Sequence, residues 1–302
     1  ADEPLLREKL RPLRGAGTVS EGLARIQSTV PLLSSLTTLQ LRELLLDSEV
    51  TTPAQGAVVF ERNDYTNSFF CVVAGSVTIE SRGRKGKIVP LTLRAGEFFG
   101  ELGLISGRRR SATVRAGEGC VLIETPRRSM LKLLASVDSV RAELDRVSVK
   151  RAVRHYLASG IKDEDLDFLV QDATIRAYPA GEALFNEGDA ADFLYLIRRG
   201  SVTISRRIGG RDIVIRYVAA GNYVGEMALL SDSPRSATVR AAVATEAILI
   251  DARRFNEIVG KSPTMRGEMS AAFLERLQQD ASRDAQAESG SLISFLMRQG
   301  VG

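Results

Sequence analysis

Two short segments carry the residue types needed to grip a ligand that has an anion at one end and hydroxyls at the other. In each, Gly-Glu is followed, nine residues after the Glu, by Arg-Ser-Ala: Gly100-Glu101 with Arg110-Ser111-Ala112, and Gly225-Glu226 with Arg235-Ser236-Ala237. Glycine lets the backbone come close to a ligand, and a helical turn starting there aims free N–H groups at an anion. Arginine offers paired donors to a phosphate. An ionised glutamate only accepts, which suits a sugar hydroxyl. Ser111 and Ser236 each add a hydroxyl beside the Arg.

The two segments lie 125 residues apart, and the offset holds without a gap from Phe60/Phe185 through Gly75-Ser76-Val77-Thr78-Ile79 against Gly200-Ser201-Val202-Thr203-Ile204. Whole domains are therefore duplicated, at a period too long for a solenoid. The 302 residues, 44% hydrophobic and 26% charged, suit two medium globular domains with a core each. A net charge of +4, with Arg108-Arg109-Arg110 as the densest cluster, does not call for nucleic acid. Cys71 and Cys120 have Leu196 and Ala247 as counterparts in the second copy, so they read as small core residues in a reducing compartment. His155 is the sole histidine, and one His builds neither a zinc site nor a triad; no metal is expected. No apolar run reaches 18 residues and residues 1–4 are no signal peptide, so a cytoplasmic location is expected. The chain starts without Met and stops just after an apolar segment, 292–297, as a piece of a longer protein would.

Elements that would position these residues follow from periodicity. Leu36, Leu39, Leu41, Leu44 and Leu45 recur at helical spacing, with Ser35 and Thr37 as available caps, and Leu166, Leu169 and Val170 repeat the pattern. Short runs rich in Val, Ile, Thr and Phe follow at 57–60, 69–73, 76–79, 88–93 and 112–115. The glycine pairs Gly75/Gly200 and Gly96/Gly221 read as hairpin punctuation. Helical stretches are expected over 129–156, carrying Met130, Leu133, Leu134, Val137 and Val140, and from 255 to about 285. The expected fold is α+β, mainly β: two β jelly-roll barrels, each flanked by helices. Expected boundaries are 1–19 (a basic N-terminal arm), 20–150 and 151–283 (the two domains), and 284–302 (linker and apolar segment).

At these residues the chain resembles the cyclic nucleotide-binding domain family, whose phosphate-binding cassette reads Phe-Gly-Glu, a small apolar turn, then Pro-Arg and a small pair. The second copy is similar to a complete cassette, from Gly225-Glu226-Met227-Ala228-Leu229-Leu230 to Pro234-Arg235-Ser236-Ala237. Upstream, Glu187-Gly188-Asp189, Leu194-Tyr195 and Arg199-Gly200-Ser201-Val202 match as well, and the resemblance covers about residues 28 to 280. The tandem arrangement is similar to regulatory subunits of cyclic-nucleotide-dependent protein kinases, and single copies occur in the catabolite activator family. The resemblance implies that Arg110 and Arg235 hold the cyclic phosphate, helped by backbone N–H groups of the turns Gly100-Glu101-Leu102-Gly103 and Gly225-Glu226-Met227-Ala228. It implies that Glu101 and Glu226 accept from the ribose 2′-hydroxyl, and that Ser111, Ala112, Ser236 and Ala237 line phosphate and base. The first copy departs at Gly103 (usually Ala), Arg109 (Pro234 in the second copy) and Asn63 (Gly188 in the second copy). None of these removes a phosphate or ribose contact, so binding is expected there too, with degeneration as the alternative.

The base is less defined. Ser after Arg serves cAMP and cGMP alike. Arg216 lies nine residues before Gly225, where some guanine-selective members place an Arg, and the first copy has Leu91. Arg is a good donor to guanine O6 and N7, the alternative being a solvated strand residue. We expect cAMP by default, with cGMP as the alternative at the second site. Tyr156, Phe273 and Phe295 are candidates to cover the base, against simple core packing.

By class, the reading is a non-enzymatic sensor that uses no cofactor. Cyclic nucleotide binding would move the flanking helices and control a partner or a fused domain. A transcription regulator would need a basic recognition helix after Phe255, and none is visible. No nucleophile–base pair is apparent. The ending Ile293-Ser294-Phe295-Leu296-Met297 resembles, over a short stretch, bacterial fusions in which tandem cyclic nucleotide domains precede an iron–sulfur ferredoxin region, so the regulatory part of a redox enzyme is an alternative, as is a degenerate domain with another ligand. Arg198-Arg199-Gly200-Ser201 imitates a kinase substrate but reads as a turn, and Arg127-Arg128-Ser129 reads as a helix start with Ser as cap.

Overall fold

The computed structural model describes residues 2–13, 15, 17–66, 68–82, 88–157, 160–263, 265–267, 269–271 and 274. The chain divides into two compact units, Ala1–His155 and Tyr156–Gly302. Phe273, Phe295, the segment 292–297 and the 284–302 linker lie outside the described residues.

Unit 1 opens with helices α1 (Glu3–Leu10), α2 (Val19–Thr29) and α3 (Thr38–Asp47). Its strands are β1 (Glu49–Thr51), β2 (Val58–Phe60), β3 (Ser68–Ala74), β4 (Ser76–Arg82), β5 (Ile88–Arg94) and β6 (Phe98–Phe99), then β7 (Ala112–Ala116) and β8 (Val121–Pro126). Between β6 and β7 lies the short helix α4 (Glu101–Ser106), and α5 (Arg127–Ser136) and α6 (Asp138–Tyr156) follow β8. Unit 2 repeats the plan with α7 (Asp163–Val170), β9 (Thr174–Tyr178), β10 (Ala183–Phe185), β11 (Phe193–Arg199), β12 (Ser201–Ile208), β13 (Arg211–Ala219) and β14 (Tyr223–Val224). Helix α8 (Glu226–Ser231), β15 (Thr238–Ala241), β16 (Thr245–Asp251) and α9 (Ala252–Lys261) complete it.

The expectation of closed, mainly β barrels is overturned. Each unit has two open four-stranded antiparallel sheets, ordered β1-β8-β3-β6 and β2-β7-β4-β5 in unit 1, and β14-β11-β16-β9 and β10-β15-β12-β13 in unit 2. Helical residues slightly outnumber strand residues among those described, so the fold is mixed α/β with antiparallel sheets. Among the described residues no ladder joins one sheet of a unit to the other. Gly75 and Gly200 are not hairpin tips either. Each sits where the chain crosses from one sheet to the other, at positive φ (67° and 81°), and a Cβ at Gly75 would lie 2.4 Å from the Glu118 carbonyl.

The reason for the layering is written in β3. Its unbroken apolar run Phe69-Phe70-Cys71-Val72-Val73 is buried on both faces. Phe70 and Val72 pack with Phe60, Val77, Leu93, Val114 and Leu122 between the sheets, while Phe69, Cys71 and Val73 pack with Leu41, Leu45, Met130 and Val140 of the helices. Cys71 and Cys120 are free and buried, and burial pushes their thiols up to about 12 and about 11. They act as small apolar core residues, and no cluster of His, Cys, Asp or Glu among the described residues could hold a metal.

The N-terminal segment is not a tail. Leu6, Leu10 and Leu13 are buried with the helices of unit 1, and the Lys9 ammonium donates to the Leu46 and Ser48 carbonyls. The capping residue of α3 is Thr37, in a reciprocal box with Gln40. Ser129 does not cap α5. It is buried inside the helix and donates to Asp47 Oδ2 at 2.7 Å. The helical stretch after β8 is broken at Val137, which caps α5 in an extended conformation. No helix among the described residues is long and apolar enough to cross a membrane.

Candidate functional site

In both units the Gly-Glu pair starts a six-residue helix and the Arg follows its exit. Gly100 and Gly225 are the N-caps of α4 and α8, with φ of 89° and 91°, a left-handed conformation that favours glycine. Glu101 and Glu226 are the first helical residues, where the free N–H groups of the opening turn favour a carboxylate. Both are buried, 4% and 1% exposed, as are Arg110 and Arg235 at 3% each. Ala112, Ala228 and Ala237 are buried, Leu102, Gly103, Met227 and Ser111 half-buried, and Ser236 exposed. The structure therefore brings carboxylate, guanidinium, turn and small pair together in each cassette, as the spacing implied.

The two guanidinia are held almost identically. Arg110 Nη2 donates to the Ser68 carbonyl at 2.6 Å and Nη1 to the Gly100 carbonyl at 3.4 Å. Arg235 Nη2 donates to the Phe193 carbonyl at 2.6 Å and Nη1 to the Gly225 carbonyl at 2.8 Å. Each lies over an aromatic ring, Arg110 4.1 Å from the Phe60 centroid and Arg235 4.2 Å from that of Phe185. Burial lowers the Arg110 pKa to about 10, still far above neutral, and lowers that of Arg235 too, while nearby carboxylates raise both. Among the described residues the two buried cations donate hydrogen bonds to neutral acceptors, with carboxylates such as Glu101 and Glu226 near but not bonded to them, an arrangement that favours an arriving anion.

The loop before β3 or β11 clamps the cassette from the other side. Asn63 N–H donates to the Arg110 carbonyl and Arg110 N–H to the Asp64 carbonyl; Gly188 and Asp189 make the same pair with Arg235. Asn63 takes φ 74° where Gly188 takes 89°, and Asn is a side chain that tolerates this region. Arg109, in place of Pro234, donates to the Asn63 carbonyl at 3.0 Å and stacks 4.2 Å from the Tyr65 ring centroid. Gly103 has room for a methyl: a Cβ there would meet nothing closer than 3.6 Å, and its φ is not left-handed. Gly103→Ala is therefore expected to stabilise unit 1 by about 0.5–1 kcal/mol, read as a higher urea midpoint at unchanged slope.

Arg216 is on β13, in register with Ile204 of β12, which in turn pairs with Val239 of β15. Val239 and Ile204 belong to the core between the sheets, and Val218, two residues along, does too, whereas Tyr217 is 72% exposed. Alternation along the strand thus puts half-buried Arg216 on the inner face. Tyr156 ends α6 and is half-buried.

Arg151 and Thr66 escaped the sequence reading, and His155 was read only as no metal or triad residue. Arg151 of α6 reaches into the first cassette: Nη1 donates to the Phe98 carbonyl and lies 3.4 Å from Glu101 Oε1, and Nη2 lies 3.8 Å from Glu97. His155, one turn on, is desolvated, which lowers its pKa, while the charge of Glu101 raises it and that of Arg62 lowers it. Thr66 Oγ1 accepts from Arg110 Nε at 2.6 Å. Only Thr66 had a visible signal, since its counterpart at the 125-residue offset is Ala191.

Comparison with known proteins bears on this geometry. A model of the cyclic nucleotide-binding domain matches residues 52–137 and 175–262, each span containing one cassette. The chain is 30% identical over 210 residues to a cGMP-dependent protein kinase of Plasmodium berghei, covering 68% of this chain and 23% of that one. It is 28% identical over 207 residues to a cAMP-dependent protein kinase regulatory subunit of Eremothecium gossypii, covering 68% and 43%. Among solved structures, the regulatory domain of Toxoplasma gondii PKA with cAMP aligns with a TM-score of 0.41 at 20% identity, over 91% of this chain and 98% of that one. The chain spans between 22% and 52% of the length of the curated relatives it matches. With more than half of its residues inside two matched spans, the chain belongs to the cyclic nucleotide-binding domain family and carries two such domains in tandem.

Proposed function

We propose that each unit binds one 3′,5′-cyclic nucleotide at its cassette and that the chain is a regulatory module whose helices report occupancy. The observation that carries the reading is the buried guanidinium whose hydrogen bonds, among the described residues, go to neutral acceptors in both copies. Arg110 and Arg235 hold the ring phosphate, whose single negative charge gives each guanidinium an anionic hydrogen-bond acceptor. The first-turn N–H groups at Leu102, Gly103, Met227 and Ala228 add donors. Glu101 and Glu226 accept from the ribose hydroxyl, and Ser111, Ala112, Ser236 and Ala237 line the phosphate and the base.

In unit 1 the output runs through α6. Arg151 shares Glu101 with the incoming ribose, so ligand and helix position are coupled through one carboxylate. A ligand shifts that equilibrium only by its differential affinity for the two helix positions. The controlled partner is a protein or a further domain of the same protein.

The inner-face position of Arg216 supports guanine recognition in unit 2, whereas Leu91 in unit 1 offers no donor. Calorimetric titration of the chain with cAMP and with cGMP tests both levels. Two bound nucleotides per chain are expected, and Arg216→Ala should weaken cGMP about tenfold while leaving cAMP unchanged. Equal weakening of both nucleotides would remove the guanine assignment, and no heat with either nucleotide would remove the ligand.

A further inference from the structure

Among the described residues the hydrogen-bond partners of the two guanidinia match but for one, although the charges around them differ, with Glu124 near Arg110 and Asp192 near Arg235. The carbonyls of Ser68 and Phe193 take Nη2, those of Gly100 and Gly225 take Nη1, and Phe60 and Phe185 supply the ring beneath. The exception is Nε. In unit 1 it donates to Thr66 Oγ1 at 2.6 Å; in unit 2 the corresponding residue is Ala191, and Arg235 Nε is buried with no hydrogen-bond partner. Removing the hydroxyl does not let water in, because Arg235 is only 3% exposed despite the small side chain at 191.

Each Nη carries two N–H groups, so a carbonyl bond leaves the other for a ligand. Nε carries one, and in unit 1 it is already used. A buried donor without a partner raises the energy of the ligand-free state, because its desolvation is uncompensated. Any bound state in which that donor is satisfied recovers the difference as affinity. The longer Nη1 contact in unit 1, 3.4 against 2.8 Å, works the other way, but it concerns a group with a second N–H to spare.

From this asymmetry, and resting on the cyclic nucleotide reading above, we infer that position 66/191 sets the order of filling. Thr66 completes the Arg110 shell in the ligand-free protein and weakens the first site for a phosphate-bearing ligand. Ala191 leaves Arg235 one donor short and makes the second site the tighter one. The same exchange carries a stability consequence of opposite sign, since the satisfied site is the more stable when empty.

The test uses the full chain with cAMP as probe, each site isolated by disabling the other. In an Arg235→Ala background, Thr66→Ala should tighten binding at the first site about tenfold and lower the melting temperature of the ligand-free protein. Thr66→Ser, which keeps the hydroxyl, should change neither. In an Arg110→Ala background, Ala191→Thr should weaken binding at the second site about tenfold and raise the ligand-free melting temperature. Affinities that stay within twofold on both exchanges, or a Thr66→Ser that behaves as Thr66→Ala does, would overturn the role of this position while leaving the ligand assignment intact. Absence of cAMP binding in both unexchanged backgrounds would overturn the ligand assignment and this inference together.

Discussion

Arg235→Ala is expected to lower the affinity of the second site for cyclic nucleotide by roughly thirty- to several-thousand-fold, with the first site unchanged. Truncating one partner of a buried, hydrogen-bonded charge pair costs about 2–5 kcal/mol, and about 1.4 kcal/mol is a factor of ten. The upper part of that range applies if the phosphate is left in a dry pocket with no cation, and Arg235 is 3% exposed. Arg110→Ala should do the same at the first site. Arg235→Lys should recover little, because a point charge cannot hold the Phe193 and Gly225 carbonyls and a phosphate at once. Titration calorimetry reads the result as one lost binding event out of two. Loss of both events from one substitution would mean that the cassettes do not act separately.

The second large effect is expected at Gly225. Its φ of 91° costs an L-residue about 1–2 kcal/mol. A Cβ there would also lie 2.5 Å from Arg235 Nη1 and 3.4 Å from its Cζ, so the guanidinium must move. It has no cheap retreat: leaving means giving up the Gly225 and Phe193 carbonyls and the Phe185 ring, with hydrogen bonds to a charged group contributing about 1.5–3 kcal/mol. Gly225→Ala should therefore combine a melting temperature several degrees lower with at least a thirty-fold loss of affinity at the second site. Gly103→Ala, also in a cassette turn, should show neither loss. A Gly225→Ala protein with unchanged affinity would mean that the Arg235 position seen here is not the one used in binding.

The cassettes were legible because duplication marks them twice: Gly, Glu, Arg and the small pair recur at one offset, and their chemistry needs those residue types. The strands were legible for a similar reason, as β3 shows, since a run such as Phe69 to Val73 buried on both faces has few other destinations. Barrel closure was not. Alternation and turn residues report that strands exist, whereas closure depends on whether the edges of the two sheets pair with each other, and no ladder joins them among the described residues. Gly75 and Gly200 illustrate the same gap, since positive φ is readable from the residue type but not whether the strands on either side pair.

The packing of the N-terminal arm was hidden for another reason. Leu6, Leu10 and Leu13 do fall at helical spacing, but Arg7, Lys9 and Arg11 between them mask the pattern. Lys9 resolves the conflict by running its stem along the helices and donating its ammonium to backbone carbonyls. Arg151 was unreadable in principle. On α6 it is one basic residue among several, and only the fold brings it to Glu101, fifty positions earlier in the chain.

The most direct measurement is a crystal structure of the chain grown with cAMP. Density is expected in both units with a phosphate oxygen at about 2.7–2.9 Å from the Arg110 and Arg235 guanidinia, and with a ribose hydroxyl on Glu101 and Glu226. Nucleotide bound away from these four side chains, or both cassettes filled by a molecule without a phosphoryl group, would contradict the account.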